Sequence, residues 1–196
     1  MATTTRPVVH EDHLIDTEGV TPIAGNPSRA AKAFAATRIG IGLIFLWAFF
    51  DKLLALGFAT GRLEDGTIDF MGDAAWVNGG SPTFGFLEFG TAGPFAGFFQ
   101  SFAGATWADW TFMLGLLAIG ISLTFGVAMR LGTIGGVTML MLMWAAVLPP
   151  EHHPFLDDHV IYSIALIGLY YAASDRTWGL GAWYEDTIGS RWPFLR

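Results

Sequence analysis

The chain has 196 residues, of which 53% are hydrophobic and only 14% are charged. Soluble domains carry about 25% charged residues, so this composition excludes an ordinary soluble domain and indicates an integral membrane protein. The absence of cysteine excludes disulfides and cysteine-bound metals within the chain, and the formal net charge of −7 argues against nucleic acid as a partner.

Residues 1–28 are polar and acidic and lack the apolar repeat of a helix, so we expect a flexible cytosolic tail. The tail also lacks the early apolar segment of a signal peptide, and the first membrane helix is therefore expected to direct insertion. At the end of the tail, Asn26 or Ser28 is placed to cap that helix, because Pro27 is tolerated in a first helical turn.

The first predicted helix covers approximately residues 29–58 and carries charges at two depths. Arg38 is expected to anchor it on the cytosolic side. Asp51 and Lys52 follow about thirteen residues later, which at about 1.5 Å per residue is roughly 20 Å along a hydrocarbon core of about 30 Å. Charged residues at that depth usually mark a function or a paired internal contact, so these two residues are the first candidate site.

The stretch between the first and second helices is irregular. Residues 62–73 are polar and predict a loop. Residues 89–108 contain no charge, but Gly and Pro interrupt them repeatedly. Gly and Pro interrupt a spanning helix, so we expect residues 74–108 to form an interfacial or re-entrant cap on the outer side of the membrane. The alternative is a further crossing segment, because an uncharged stretch of this length can span a bilayer.

Three more membrane helices are predicted after the cap. Residues 110–129 and 131–150 are uncharged and long enough to span a bilayer. Asp109 is placed to cap the second helix and Arg130 to stop it, and the short turn makes the next helix antiparallel. The small residues of Gly132–Gly136 allow close contact with another helix. The predicted ranges are 109–129, 131–148 and 156–174, the last with Asp157 or Asp158 at its N-terminal end.

Charge gives these helices an orientation. Four helices place both termini on one side, and eight of the ten Lys and Arg residues fall on that side, which the positive-inside rule assigns to the cytosol. The outer side contains many acids and only two bases, Lys52 and Arg62. The predicted fold is an all-α membrane protein: a four-transmembrane-helix bundle with both termini cytosolic, formed by a single domain over residues 29–196 in the plasma (inner) membrane.

Five polar residues of the predicted helices converge near the outer surface: Asp51, Lys52, Asp109, Asp158 and His159. We expect Lys52 to meet Asp158 or Asp109, and Asp51 to meet His159. Two interpretations stay open. The residues either form ion pairs that hold the helices in register, or they form a catalytic, proton-coupled quinone site. In that site Asp51 and His159 exchange protons and Lys52 polarises the quinone carbonyl.

The segment Glu151–His159 contains three histidines and three carboxylates, a composition that resembles a divalent-metal loop. However, the adjacent His152 and His153 are awkward as ligands of one ion, and no H-x-x-x-H or H-E-x-x-H spacing is present. We therefore predict no metal site here, and expect a helix-capping, solvated loop.

Two tryptophans lie near the polar residues of the outer side. Trp47 precedes Asp51 by one helical turn on the same face, and Trp144 lies near the outer end of the third predicted helix. Both are expected either to anchor the bundle at the interface or, with Asp109 and Asp158 nearby, to line a stacking pocket for a quinone ring. The sequence contains no motif that holds a redox cofactor, so no intrinsic cofactor is expected.

Several motifs resemble those of one family. The stretch Arg38–Leu53, with its Asp51-Lys52 pair, resembles the first helix of the DoxX/DoxD family of four-helix membrane proteins. Four more stretches are similar to the DoxD type in particular: Ala75–Thr83, Gly93–Gly97, Pro154–His159 and Thr177–Gly181. The resemblance extends over approximately residues 34–196 and does not include the acidic tail.

The resemblance implies a four-helix bundle with a link to the quinone pool, since DoxD is the membrane subunit of a thiosulfate:quinone oxidoreductase. We expect a redox-linked accessory component of a respiratory or quinone-linked complex; the alternative is the catalytic membrane subunit of such an oxidoreductase. The expected partners are the lipid bilayer and other subunits of a membrane complex, with a homo-oligomer as an alternative. Thiosulfate chemistry needs a partner subunit or metal that this sequence does not supply.

Overall fold

The structure is a computed structural model that describes residues 27–192, and the described residues contain helices and turns but no β-strand. The predicted flexible tail therefore lies almost wholly outside the described residues. Four helices are long and two are short: α1 Arg29–Leu54, α2 Ala96–Gln100, α3 Thr106–Phe125, α4 Met129–Ala146, α5 Asp158–Tyr171 and α6 Gly181–Tyr184.

Three of these helices, α1, α3 and α4, are long and apolar enough to cross a membrane. The prediction of an all-helical protein with membrane-spanning helices is thus confirmed. α5 has 14 residues, about 21 Å of helix, which is shorter than a hydrocarbon core of about 30 Å. A fourth crossing helix therefore stays a prediction, as does the orientation of the termini.

α1 begins where the sequence indicated and ends earlier. The Ser28 hydroxyl accepts a hydrogen bond from the Ala31 N–H at 3.1 Å, so Ser28 is the N-cap. At the other end, Ala55 has the left-handed backbone conformation, with a φ of 54°, and the helix ends at Leu54 rather than near residue 58. The chain then turns back over the last turn of the helix.

α3 and α4 are displaced toward the N-terminus relative to their predictions. α3 begins at Thr106, so Asp109 lies in its first turn and is not its cap. Gly126, with a φ of 68°, ends this helix, because glycine adopts a left-handed C-terminal conformation without steric cost. Arg130 does not stop the helix as predicted: it lies in the first turn of α4.

α5 is shorter than predicted at both ends. Asp157 is its N-cap and accepts a hydrogen bond from the Val160 N–H at 3.2 Å, so one of the two predicted carboxylates has that role. The helix ends at Tyr171, and Ala173 has a φ of 46° before the short 3₁₀ turn Ser174–Arg176.

The four long helices pack around one core. α1 packs on α3, α3 on α4, α4 on α5, and α5 also contacts α1. Buried apolar side chains from all four helices form the core: Ile41, Phe45, Phe49, Met113, Leu116, Ile119, Leu123, Met129, Leu140, Leu166 and Leu169. Lipid tails are as apolar as this core, so close van der Waals packing of these side chains, rather than their removal from water, holds the membrane helices together.

Small residues allow these helices to approach closely. A Cβ on Gly42 of α1 would lie 2.6 Å from the Thr124 backbone N of α3, and a Cβ on Gly136 of α4 would lie 2.7 Å from the Leu166 side chain of α5. Real Cβ atoms do not approach other atoms so closely, so a larger residue would push the helices apart. The close contact predicted for the segment Gly132–Gly136 is present.

The segment between α1 and α3 contains only short helical turns, none of spanning length: Trp76–Asn78, Phe86–Gly90, Gly93–Phe95 and α2. A further crossing helix between Leu54 and Thr106 is therefore absent. Leu87 and Phe99 of this segment pack with Ala146 at the end of α4 in a second, small core. The segment thus covers one end of the bundle, as a cap does; its position on the outer side stays a prediction.

We name the two ends of the bundle after one residue at each, Arg38 and Asp51. The Arg38 end contains Arg38, the end of α3, the start of α4 and the turn Ser174–Arg176. The Asp51 end contains the end of α1, the start of α3, the end of α4, the start of α5 and the cap.

Candidate functional site

Asp51 is buried, with 1% of its surface exposed, and it binds backbone rather than a side chain. Its Oδ1 accepts a hydrogen bond from the Phe58 N–H at 3.0 Å, and its Oδ2 accepts one from the Ala59 N–H at 2.9 Å. Both oxygens of the carboxylate are therefore occupied by the loop that folds back after α1. The predicted pairing of Asp51 with His159 is wrong.

Asp109 is also buried and connects the start of α3 to the cap. Its Oδ1 accepts hydrogen bonds from the Ser81 hydroxyl at 2.8 Å, the Thr83 hydroxyl at 2.6 Å and the Thr83 N–H at 3.1 Å. Hydroxyl and amide donors, rather than a cation, thus bind Oδ1 of this carboxylate. Asp109 was predicted as a site residue with Lys52 as its partner, whereas its partners are the hydroxyls of Ser81 and Thr83, which carry no charge signal in the sequence.

Lys52 has no acidic partner among the described residues. Its predicted pairing with Asp158 or Asp109 is wrong. The Nζ atom lies instead 6.0 Å from the centre of the Phe112 ring, within the range of a cation–π contact. An ammonium group at the end of a membrane helix is thus left available for a ligand.

His159 belongs to the start of α5 and is held locally. Its Nδ1 lies 2.7 Å from Asp157 Oδ2, while Asp158 beside it is exposed. Candidate ligand atoms of Asp157, Asp158 and His159 lie within 4.8 Å of one another, a geometry that a metal ion could use. Both oxygens of Asp157 already accept or share hydrogen bonds within this cap, so the local role of the three residues is to begin α5.

The two tryptophans proposed as ring-stacking groups make local contacts. Trp47 is half exposed and packs edge to face on Phe58, with 5.0 Å between ring centres. Trp144 donates a hydrogen bond from Nε1 to the Phe155 carbonyl at 2.9 Å and so joins the end of α4 to the loop before α5. Each tryptophan thus has a local packing or hydrogen-bonding role.

A groove of about 1190 Å³ lies between α3 and α4 and is closed at the Asp51 end by the cap. Its walls are formed by small residues of both helices, among them Gly115, Ala118, Gly132 and Gly135, and the cap contributes phenylalanines. Among the described residues that line it, Lys52 is the only charged one. Its volume exceeds the roughly 300–1,000 Å³ of pockets for drug-sized ligands, so it suits a longer, mostly apolar molecule.

The two buried carboxylates hold the mouth of this groove. Asp51 binds the loop that continues into the lining residues Ala59–Gly61, and Asp109 binds the lining segment Ser81–Thr83. Lys52 lines the groove between these supports. Of the predicted site residues, Lys52 therefore faces the groove, Asp51 and Asp109 fix the surrounding loops, and His159, Asp158, Trp47 and Trp144 lie outside its lining.

Arg38 has a structural role at the opposite end that the sequence did not reveal. It is fully buried, and its guanidinium donates to the carbonyls of Leu123, Thr124 at 3.0 Å, Thr177 at 3.3 Å and Trp178 at 3.0 Å. The Arg38 guanidinium donates hydrogen bonds to carbonyls at the end of α3 that have no partner within the helix. Its positive charge also interacts favourably with the negative C-terminal end of the α3 dipole. The predicted position of Arg38 on the cytosolic side stays a prediction; the structure adds that its side chain is buried and bonded to backbone carbonyls.

The fold and the site together define the class: an all-helical protein whose three long, apolar helices indicate a membrane protein, with a lateral groove beneath a cap. Comparisons of the chain with protein-family models, with curated proteins and with solved structures found no match. The resemblance to the DoxX/DoxD family accordingly stays a prediction.

Proposed function

We propose that the chain is a multi-pass subunit of the plasma (inner) membrane in which α5 is the fourth crossing helix and both termini are cytosolic. The distribution of charge supports this orientation. The bases of the described chain concentrate at the Arg38 end: Arg29, Lys32, Arg38, Arg130, Arg176 and Arg191. The Asp51 end has only Lys52 and Arg62 among many acids, the distribution that the positive-inside rule assigns to the outer side.

The function proposed for this subunit is to bind a quinone as a redox-linked accessory component of a respiratory or quinone-linked membrane complex. The observation that carries the proposal is the large apolar groove with Lys52 as its only charged lining residue. The Lys52 ammonium can donate a hydrogen bond to a carbonyl of the quinone ring. Such a hydrogen bond is stronger when its donor is charged. The apolar tail of the quinone then lies between α3 and α4.

An accessory role is favoured over a catalytic one by the state of the acids and the histidine. Asp51 holds a loop with both carboxylate oxygens and Asp109 holds the cap with Oδ1. His159 is bound to Asp157, and none of the three residues lines the groove. A general acid or base must lie within hydrogen-bond reach of the proton that it transfers. The residues of this chain therefore support binding and orientation of a quinone, and electron transfer is assigned to partner subunits.

The test is photolabelling of the purified, full-length protein in mild detergent with a photoreactive quinone. The variant Lys52→Met is expected to lower labelling about tenfold, as for loss of a charge-assisted hydrogen bond of about 1.5 kcal/mol. Arg62→Met is the matched control, because Arg62 is a base at the same end that does not line the groove. Equal labelling of Lys52→Met and the wild type, or an equal loss in both variants, would contradict the proposal.

A further inference from the structure

A second, smaller pocket lies between α4 and α5 at the Arg38 end of the bundle. Its volume is about 370 Å³, and six residues line it: Arg130, Thr133, Ile134, Ile167, Tyr170 and Tyr171. None of them lines the larger groove. The start of α4 and the end of α5 together form this pocket, which is therefore separate from the proposed quinone site.

The pocket contains a buried hydroxyl without a partner. Thr133 has 7% of its surface exposed, and its Oγ1 makes no hydrogen bond to the described residues. Buried polar groups nearly always have a partner, because an unpaired one is costly. The Thr133 hydroxyl therefore points to a ligand with a hydrogen-bonding oxygen.

The charge of the pocket selects an anion. Arg130 lies one turn before Thr133, and no acidic side chain pairs with it among the described residues. The residue at the N-cap of α4, Ala128, makes no side-chain cap, so the positive end of an 18-residue helix lies beside Arg130. A guanidinium in the first turn of a helix, where the dipole is positive, favours an anion such as a phosphate.

The other half of the pocket is apolar and faces outward. Ile134 is 55% exposed and Ile167 is 43% exposed. Ile134 lies one turn beyond Arg130 along α4, and Ile167 lies one turn before Tyr171 along α5. Both isoleucines are thus placed deeper in the membrane than the polar residues, where an acyl chain would run, and tyrosines are typical of the interface beside headgroups.

We propose that this pocket binds an anionic phospholipid of the leaflet at the Arg38 end. Arg130 binds the phosphate, the Thr133 hydroxyl donates a hydrogen bond to a phosphate or ester oxygen, and an acyl chain packs on Ile134 and Ile167. Free phosphate would satisfy only the polar half of the pocket. Basic pockets between membrane helices are known to select anionic headgroups. The inference does not depend on quinone binding.

The test is native mass spectrometry of the full-length protein, delipidated and then titrated with phosphatidylglycerol or with phosphatidylcholine of the same chains. We expect phosphatidylglycerol to bind and Arg130→Gln to weaken it about tenfold. Arg29→Gln is the matched control, because Arg29 is an exposed base at the same end outside the pocket. Equal binding of the two lipids, or an equal loss in Arg130→Gln and Arg29→Gln, would overturn the proposal.

The hydroxyl of Thr133 and the source of the phosphate are tested separately. Thr133→Val is expected to weaken phosphatidylglycerol binding roughly fivefold, whereas Thr133→Ser, which keeps the hydroxyl, is expected to retain it. A thermal unfolding curve for each variant excludes a loss of fold as the cause, and a loss of binding in both variants with the fold retained would overturn the role of the hydroxyl. Displacement of the lipid by equimolar inorganic phosphate would identify a free-phosphate site and overturn the assignment to a lipid.

Discussion

The Asp51 carboxylate accepts a hydrogen bond from the Ala59 amide, with 2.9 Å between Oδ2 and the backbone N. The residue that most resembles a catalytic acid in the sequence thus closes the loop after α1. Because Ala59 and the next two residues also line the groove around Lys52, this hydrogen bond connects the end of the helix to the shape of the proposed binding site. Asp51 is a positioning residue for that site.

The variant Asp51→Asn is expected to destabilise the loop. Asparagine supplies one acceptor oxygen and places an NH₂ donor against the second amide, so one partly buried N–H loses its partner at a cost of about 1 kcal/mol. We expect a lower free energy of unfolding in detergent and faster hydrogen exchange at Phe58 and Ala59. Glu64→Gln, which removes an exposed charge from the following loop, is the control. Unchanged exchange at both amides would contradict the role of Asp51.

Apolar stretches in the sequence identified the long helices, but not where the helices end. Crossing a bilayer requires only a long enough stretch of apolar residues, and this requirement fixed the approximate positions of α1, α3 and α4. The ends depend on single backbone conformations: the left-handed φ of Ala55 has no sequence signal, and Gly126 is one of 25 glycines. Helix ends therefore deviated by a few residues.

The candidate site was predictable in part. The sequence identified Asp51 and Asp109 as functionally or structurally important acids, and both are buried. Their partners were missed because they are amides and hydroxyls of loops, whose path the hydrophobic pattern does not determine. The same reason applies to Arg38, which binds carbonyls that lie 85 or more residues away in the chain. The groove itself depends on how far α3 and α4 separate, which only the packed structure gives.

Arg38→Lys is expected to weaken the Arg38 end of the bundle. A planar guanidinium reaches carbonyls of α3 and of residues 177–178 at once, whereas a lysine ammonium is a compact point charge that cannot satisfy both groups. We expect the free energy of unfolding to fall by about 2 kcal/mol, measured by denaturant titration in detergent. Arg29→Lys, at an exposed position of the same helix, is the control. If Arg38→Lys lowers the free energy of unfolding no more than Arg29→Lys does, the proposed role of the Arg38 guanidinium is contradicted.

Stability at the Arg38 end is expected to depend on pH through Asp175, which lies in the turn after α5. Burial raises the pKa of the Asp175 carboxyl, and a backbone hydrogen bond and the nearby charges of Arg176 and Arg38 lower it by less. The folded state therefore holds this proton more tightly than the unfolded state. The stabilisation is largest at low pH. It is lost as the pH rises above 3.8, the ordinary pKa of an aspartate carboxyl, and passes through the raised pKa of the folded state.

The variant Asp175→Asn removes this titration. We expect its free energy of unfolding to decline less than that of the wild type between about pH 4 and about pH 7. Asp186→Asn, at an exposed acid of the same end, is expected to keep the wild-type slope. Denaturant titrations at a series of pH values measure the difference, and identical slopes for Asp175→Asn and the wild type would show that the carboxyl does not titrate in this way.

Filling the groove with a larger side chain tests whether the quinone tail lies between α3 and α4. Ala118 is an exposed residue of α3 that lines the groove, and Leu114 is an exposed residue of the same helix that does not. Ala118→Phe is expected to lower photolabelling by a quinone about tenfold, because the ring occupies the space of the tail. Leu114→Phe is expected to leave labelling unchanged. Both variants should keep the free energy of unfolding within about 0.5 kcal/mol, as surface substitutions do, so equal labelling of the two would mean that the quinone binds elsewhere.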